Sequence, residues 1–246
     1  MLADRPKSYD VLSVMGLPVH WRHDYINWLL DRCRCGEGTH VVTLNAEMAV
    51  QADRNPALRD IITSADLVIP DGAGVVLYFR LKGHHIQRTP GIELAANLLK
   101  RLSTKESVFF YGGAPGVAGQ AAIYWRRQLA GINIVGTQHG YLSPEEQPKF
   151  LHHLTSIQPS VILVGMGVPR QETWIRDHRH LCPNSLWIGV GGSFDIWAGV
   201  KHRAPEWMCN NHLEWLFRLY KEPWRWRRML ALPQFAWRSL TYSVLS

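Results

Sequence analysis

Short apolar segments alternate with helix-like segments along most of this chain, and that alternation limits the folds open to it. The predicted strands lie at residues 11–14, 39–44, 67–69, 107–110, 133–136, 161–164 and 186–190. Between them the sequence shows the apolar spacing of helices, as at 24–33, or a Ser-to-Glu capping pattern, as at 143–146. Strands separated by helices pair in parallel through right-handed crossovers. We therefore predict an α/β fold with a Rossmann-like, mostly parallel, doubly wound sheet.

The composition suits one such domain with an appendage. The chain has 246 residues, of which 46% are hydrophobic and 19% charged, so a large core can form. The longest apolar run, 161–168, is too short to cross a bilayer, and residues 1–7 lack the apolar segment of a signal peptide. The four cysteines form no paired C-x-x-C motifs. We expect a cytoplasmic protein with neither a metal site nor a cofactor.

Positive charge is concentrated near the C-terminus. Residues 201–246 contain eight lysines and arginines against three glutamates, which accounts for five of the seven net positive charges. Five of the eleven tryptophans lie there as well. Basic residues mixed with Trp suit an anionic membrane surface, a diphosphate ligand or a nucleic acid. We predict a basic, Trp-rich helical appendage at 201–246 that follows an α/β core at 1–200.

Asp71 is the candidate catalytic residue. It follows the apolar strand at 67–69 and Pro70, and Gly72 and Gly74 come directly after it. In a parallel sheet this position places a carboxylate at the strand end where ligands bind. Asp is also a favoured N-cap, so the same residue could simply cap the next helix.

Polar or glycine residues occur at the ends of several other predicted strands as well. Thr43 and Asn45 are two apart and would face the same side of a strand, although Asn45 could also be an N-cap. The remaining candidates are Arg88 before a helix, the Gly112-Gly113 turn, Arg170 and Gln171, and Gly191-Gly192. Because carboxyl ends of parallel strands meet at one edge, we expect these groups around one crevice, which favours a binding site over isolated helix caps.

Two other classes of protein remain open at this point. A nicotinamide-dependent oxidoreductase could use the same sheet, but the 111–118 turn matches neither the P-loop nor a full G-x-G-x-x-G fingerprint. A non-enzymatic protein that binds membranes or nucleic acid would rest on the basic segment alone. That interpretation leaves the polar strand ends without a role.

The sequence resembles the WecG/TagA/CpsF glycosyltransferases, glycosyltransferase family 26. The motifs that carry the resemblance run in order from about residue 40 to 228. They are TLNAE at 43–47, PDG at 70–72, RTPG at 88–91, FYGG at 110–113, GY at 140–141, GMGVPRQE at 165–172, GGSFD at 191–195, RAP at 203–205, LEWLFRL at 213–219 and EPWR at 222–225.

This resemblance implies a specific reaction. Family members transfer a sugar from a UDP-sugar, typically UDP-N-acetylmannosamine, its uronic acid or UDP-glucose, to a sugar on a polyprenyl diphosphate. They invert the anomeric centre, form a β-linked disaccharide lipid for cell-surface or exopolysaccharide synthesis, and are regarded as metal-independent. The absence of a D-x-D motif here fits that last property. The implied location is the inner face of the plasma membrane, with an anionic membrane surface as partner and no nucleic acid.

The resemblance also suggests roles for individual residues. Asp71 would take the proton from the acceptor hydroxyl, Thr43 and Asn45 would position a sugar, and Gln171 would bind the donor. Cations would stabilise the leaving UDP. The best candidates for that role are Arg218, Arg225 and Arg228, followed by Arg88 and Arg170. The donor sugar, the acceptor, the pathway and any self-association stay open.

Overall fold

A six-stranded parallel sheet forms the centre of the computed structural model, which describes residues 10–211 and 213–245 apart from the side chains of residues 225 and 243–245. The strands are β3 (Thr39–Leu44), β4 (Leu67–Pro70), β5 (Val108–Gly112), β6 (Ile134–Gln138), β7 (Val161–Gly165) and β8 (Leu186–Gly189). Their order across the sheet is β4-β3-β8-β7-β5-β6, and every neighbouring pair is parallel. The predicted α/β architecture is therefore confirmed.

Helices separate these strands and continue after the last of them. The core helices are α1 (Tyr25–Arg34), α2 (Ala46–Arg54), α3 (Pro56–Thr63), α4 (Ala73–Leu81), α5 (Gly91–Leu99), α6 (Val117–Gln128), α7 (Glu146–Ile157), α8 (Arg170–His178) and α9 (Ser193–Trp197). After them come α10 (Glu206–Asn210), α11 (Glu214–Lys221), α12 (Trp226–Met229) and α13 (Ala231–Leu245), with 3-10 turns at Arg179–Leu181 and Pro223–Arg225. The predicted capping box is present, since Ser143 N–H donates to Glu146 Oε2 at 2.8 Å and Glu146 N–H to Ser143 Oγ at 3.3 Å.

Both faces of the sheet are buried, which explains why its strands read as unbroken apolar runs. In β5, Val108 and Phe110 pack into one apolar cluster, which includes residues of α5 and α6. The alternate residues Phe109 and Tyr111 pack into another cluster on the opposite face, with residues of α7 and α8. Successive side chains of a strand point to opposite faces, so a two-sided core needs hydrophobic residues at every position.

The N-terminal strand does not join the main sheet. β1 (Asp10–Val14) and β2 (Leu17–Trp21) form a separate antiparallel hairpin, and β2 packs beside β4. Within that contact the Val68 N–H of β4 donates to His20 Nδ1 at 2.8 Å. Burial lowers the pKa of His20, which favours the neutral ring that this acceptor role requires. The strand predicted at 11–14 is confirmed, and a turn at Met15-Gly16 leads from it into β2, which the sequence pattern did not predict because Gly16, Leu17 and Pro18 suggest a turn.

The C-terminal segment contacts the core mainly through α13. This helix packs against α2 and α4, and Phe235 is only 3% exposed within the apolar cluster there. Trp215 and Leu216 of α11 are exposed and therefore do not pack into the core of this chain. Among the described residues, no helix has the length and apolarity needed to span a membrane. Residues 1–7, where no signal peptide is predicted, lie outside the described residues.

Candidate active site

A crevice of about 750 Å³ lies at the carboxyl ends of the sheet strands, between the core and the segment from α11 to α12. The structure brings most of the predicted site residues together on its walls. These are Thr43, Asn45, Asp71, Gly113, Arg170, Gln171, Gly191, Gly192, Arg218 and Arg228. Arg88 and Gly112 lie behind the walls, as described below, and the side chain of Arg225 lies outside the described part of the chain.

Asp71 lies where β4 ends, and neighbouring segments hold its backbone in place. Its N–H donates to Leu44 O of β3 at 2.9 Å, and the Thr89 N–H donates to Pro70 O at 2.8 Å. The N-cap of α4 is Gly72, and no side chain caps that helix. The helix-cap interpretation of Asp71 is therefore wrong, and its half-buried side chain faces the crevice instead.

The pKa of Asp71 is set by effects that act in opposite directions. Burial raises the pKa of Asp71 to about 6, although Arg88 and Arg218 nearby act to lower it. The negative charge of Glu214 raises the pKa, and the backbone N–H of Gly91 at the start of α5 lowers it. A carboxylate with such a pKa is ionised at neutral pH and retains more basicity than an ordinary aspartate, as a general base requires.

Thr43 and Asn45 flank Asp71 at the end of β3. Thr43 is buried, and its Oγ1 donates to Gly189 O at 3.4 Å. Asn45 is the N-cap of α2, with its Oδ1 accepting from Met48 N–H at 3.0 Å. The cap interpretation is thus confirmed for the oxygen of Asn45. Within the described chain nothing accepts from its amide Nδ2, which leaves that donor for the crevice.

A buried polar network lies beneath the crevice floor. Gln171 Oε1 accepts from Gly167 N–H at 3.1 Å and from Gly191 N–H at 3.0 Å. Its Nε2 donates to Glu172 Oε1 at 2.9 Å, and the other Glu172 oxygen lies 3.0 Å from His40 Nε2. Because a carboxylate accepts hydrogen bonds, Glu172 orients the Gln171 amide. Gln171 thus ties together two loops of the crevice, a role that its spacing in the sequence did not reveal.

We expect Glu172→Ala to lower the free energy of unfolding by about 3–5 kcal/mol, because it leaves His40 and the Gln171 amide buried without their partner. Urea unfolding at neutral pH measures the change. Glu206→Ala is the matched control, since the Glu206 side chain is exposed, and it should change stability by less than about 0.5 kcal/mol. Equal stability of the two variants would contradict the structural importance of the network.

The glycine loops serve two different purposes. Gly112 has a φ of +127°, and a Cβ there would lie 2.3 Å from Gly165 O, so this glycine allows β5 and β7 to approach closely. Gly191 has a φ of +54°, and a Cβ there would meet nothing within 4 Å. Gly191 therefore presents bare backbone to the crevice, where a ligand can come close.

Arg88 lies behind the crevice wall, whereas Arg170 lies at the edge of the crevice. Arg88 Nε donates to Asp71 O at 2.8 Å, and its Nη2 pairs with Glu214 Oε2 at 2.6 Å, so it supports the Asp71 loop from behind. Arg170 is exposed at the crevice edge, 5.6 Å from the centre of the Tyr141 ring.

The C-terminal helices bring cationic groups to the same crevice. Arg218 pairs with Glu214, and Arg228 Nε lies 2.6 Å from Glu47 Oε1 of α2. Lys201 and Lys221 line the same space, and Lys201 Nζ lies 2.9 Å from Glu222 Oε1. Glu214, Lys201 and Lys221 were not predicted as site residues from the sequence. The family motif at 213–219 contains Glu214 and was a signal that could have identified it.

The part of the chain that the structure describes contains no group of three or more His, Cys, Asp or Glu residues placed to hold a metal ion. Three acidic groups of the crevice are instead paired with arginine or lysine, namely Glu214, Glu47 and Glu222.

A parallel α/β sheet whose carboxyl edge carries a polar crevice, lined by both a basic carboxylate and cations, defines an enzyme of the Rossmann-like class. The family model described as the WecG/TagA/CpsF family of glycosyl transferases matches residues 12–245. The chain belongs to this family and is a glycosyltransferase. The oxidoreductase and the non-enzymatic binding protein, both left open by the sequence, are thereby excluded.

Individual relatives agree with the family assignment. The chain is 38% identical over 201 residues to an N-acetylglucosaminyldiphosphoundecaprenol N-acetyl-β-D-mannosaminyltransferase of Bacillus spizizenii, covering 81% of this chain and 77% of that protein. A protein of the same description from Bacillus subtilis strain 168 is 34% identical over 201 residues, which cover 81% of this chain and 78% of the relative.

Proposed function

We propose that this enzyme transfers an N-acetylmannosamine-type sugar from a UDP-sugar to N-acetylglucosamine carried on a polyprenyl diphosphate. The product is a β-linked disaccharide lipid for a cell-surface polymer. The descriptions of the two relatives support both the sugar and the lipid-linked acceptor. UDP-glucose and the uronic acid of N-acetylmannosamine are the alternative donors.

The single observation that carries this proposal is that Asp71 lines the same crevice as the cations of α11 and α12. In the proposed reaction Asp71 takes the proton from the acceptor hydroxyl as the oxygen attacks the anomeric carbon. Attack from the face opposite the leaving group inverts that carbon. Asn45 Nδ2 and the backbone at Gly191 are placed to position the sugars.

The leaving UDP gains negative charge as its bond to the sugar breaks. Arg218, Lys221 and Arg228 line the same crevice as Asp71 and supply positive charge there. We propose that these side chains stabilise the diphosphate without a metal ion. Arg225, between them in sequence, belongs to the same proposed set.

We further propose that the C-terminal segment, residues 201–246, is an appendage that both completes the crevice and docks on the anionic inner face of the plasma membrane. Trp207, Trp224, Trp226 and Trp237 are exposed by 53–72%. Exposed Trp among arginines suits an interface with anionic lipids. The acceptor lipid would then meet the crevice at the membrane surface.

A donor panel tests the reaction. The purified enzyme is given UDP-N-acetylmannosamine, its uronic acid or UDP-glucose together with a synthetic polyprenyl-diphosphate-linked N-acetylglucosamine, with and without EDTA. We expect EDTA-resistant formation of a β-linked disaccharide lipid from one of these donors. Formation of an α-linked product would contradict inversion, and loss of activity with EDTA would contradict metal independence.

The pH dependence of sugar transfer is expected to follow from the pKa of Asp71. Because its pKa is raised to about 6, the base is protonated and inactive below that pH, so kcat/KM should fall tenfold per unit on the acid side. The profile of kcat/KM between pH 4.5 and 8.5 measures this fall, which is the acid limb of the profile. A limb centred near pH 4, the value of an ordinary Asp, would contradict the role of burial.

A further inference from the structure

Glu214 is a buried carboxylate on a largely exposed helix. Of the residues of α11, all of whose side chains the structure describes, only Glu214 is buried, with 6% exposure. Trp215 and Leu216, which follow it, are exposed. Burying a carboxylate costs free energy unless it is paired. The position of Glu214 is thus explained by its partners and not by apolar packing.

Both oxygens of Glu214 are engaged, each with a different arginine. Oε2 accepts from Arg88 Nη2 at 2.6 Å, and Oε1 accepts from Arg218 Nη2. Arg88 in turn donates from Nε to Asp71 O at 2.8 Å, and from Nη1 to Cys209 O at 3.4 Å. A continuous chain of hydrogen bonds therefore runs from α11 through Glu214 and Arg88 to the backbone of Asp71.

The same three side chains make up the charged surroundings of Asp71. Arg88 approaches from the loop before α5, whereas Arg218 and Glu214 approach from α11. Burial would raise the pKa of Glu214, but Arg218, Arg88 and Arg203 together outweigh that effect and lower it, so Glu214 stays ionised. Its charge partly neutralises Arg88 and Arg218 and opposes their effect on Asp71.

We propose that Glu214 is a positioning residue, which links α11 to the Asp71 loop, holds Arg218 at the crevice and offsets the positive charge of the arginines beside Asp71. This inference rests on the proposed role of Asp71 as the base. Glu214 contributes to this arrangement in two separable ways. Its charge offsets the arginines, and its length lets it reach Arg88 and Arg218 at once.

Two variants of Glu214 test the effect of its charge separately from the effect of its side-chain length. Glu214→Gln keeps the length but removes the charge, so the pKa of Asp71, and with it the acid limb of kcat/KM, should move down by about one unit. Glu214→Asp keeps the charge but shortens the side chain, so it should raise KM for the UDP-sugar several-fold and leave the limb nearly in place. Glu206→Gln removes an exposed carboxylate from the same segment and should change neither quantity.

Direct titration of the Asp71 carboxyl group tests the effect of Glu214 on its pKa without any measurement of sugar transfer. The carboxyl carbon of Asp71 is followed by ¹³C NMR in the full-length wild type and in Glu214→Gln, with Asp71→Asn used to assign the signal. An unchanged titration in Glu214→Gln would overturn the proposal. A shifted titration with an unshifted acid limb would support the contact but show that Asp71 is not the base, which separates failure of this inference from failure of the proposed function.

Discussion

Asp71→Asn is expected to lower kcat by about 100- to 10,000-fold, the range typical for loss of a general base. Asparagine has nearly the same shape but cannot take the proton of the acceptor hydroxyl. Transfer of radiolabelled sugar from the UDP donor to the lipid-linked acceptor at pH 7.5 measures the loss, and KM for the donor should change little. Activity within threefold of the wild type would show that another group takes the proton.

Stability provides the internal control for this variant. The folded-state pKa of Asp71, about 6, lies above the ordinary value for Asp, so the ionised carboxylate disfavours the fold. The contribution of Asp71 to the free energy of unfolding is therefore most favourable below about pH 4, where the side chain is protonated, and this advantage is lost as the pH rises through about 6. Asparagine carries no such charge. Asp71→Asn should therefore unfold at the same or a higher temperature than the wild type at pH 7.5, and inactivity cannot then be attributed to unfolding.

Arg218→Gln is expected to lower kcat by about 100- to 1,000-fold, comparable to the loss of one preorganised donor to a developing negative charge. Arg218 lines the crevice on α11, and its side chain is about half exposed. Because Arg218 lowers the pKa of Asp71, its removal also moves the acid limb upward, so kcat must be taken on the plateau of the pH profile.

Arg227→Gln is the matched control for Arg218. Arg227 lies on α12, exposed against the ring of Trp226, and is not among the described residues that line the crevice. With a short-chain acceptor in detergent, where membrane docking has no influence, Arg227→Gln should keep nearly full activity. Similar losses in the two variants would favour a general effect of basic charge over a specific contact with the diphosphate.

The main sheet was predictable because its signals are local. The strand at 39–44 reads as a buried run bounded by Gly38 and Asn45, and β3 has those bounds in the structure. β2 was missed because Leu17 and Pro18 resemble a turn. In the hairpin, Pro18 pairs with Ser13, a setting that allows a proline in a two-stranded ribbon. The strand order depends on packing between distant segments, and no local pattern records it.

The candidate site was predictable only in part, for the same reason. The sequence predicted that strand ends would meet at one edge, and the structure places Thr43, Asn45 and Asp71 together. It could not predict the partners of Arg88, because Glu214 is 126 residues away along the chain. Nor could it predict that Gln171 faces two loop N–H groups, since that depends on the buried Glu172.

The hairpin of β1 and β2 has a consequence for how this protein avoids aggregation. β4 is the outermost strand on its side of the sheet, and it leads directly into the Asp71 loop. An outermost strand with free N–H groups can recruit a strand from another molecule. Because Val68 N–H is taken by the His20 ring, a side chain occupies a donor that such a strand would need. The hairpin thus shields the strand that carries the proposed base from intermolecular β-pairing.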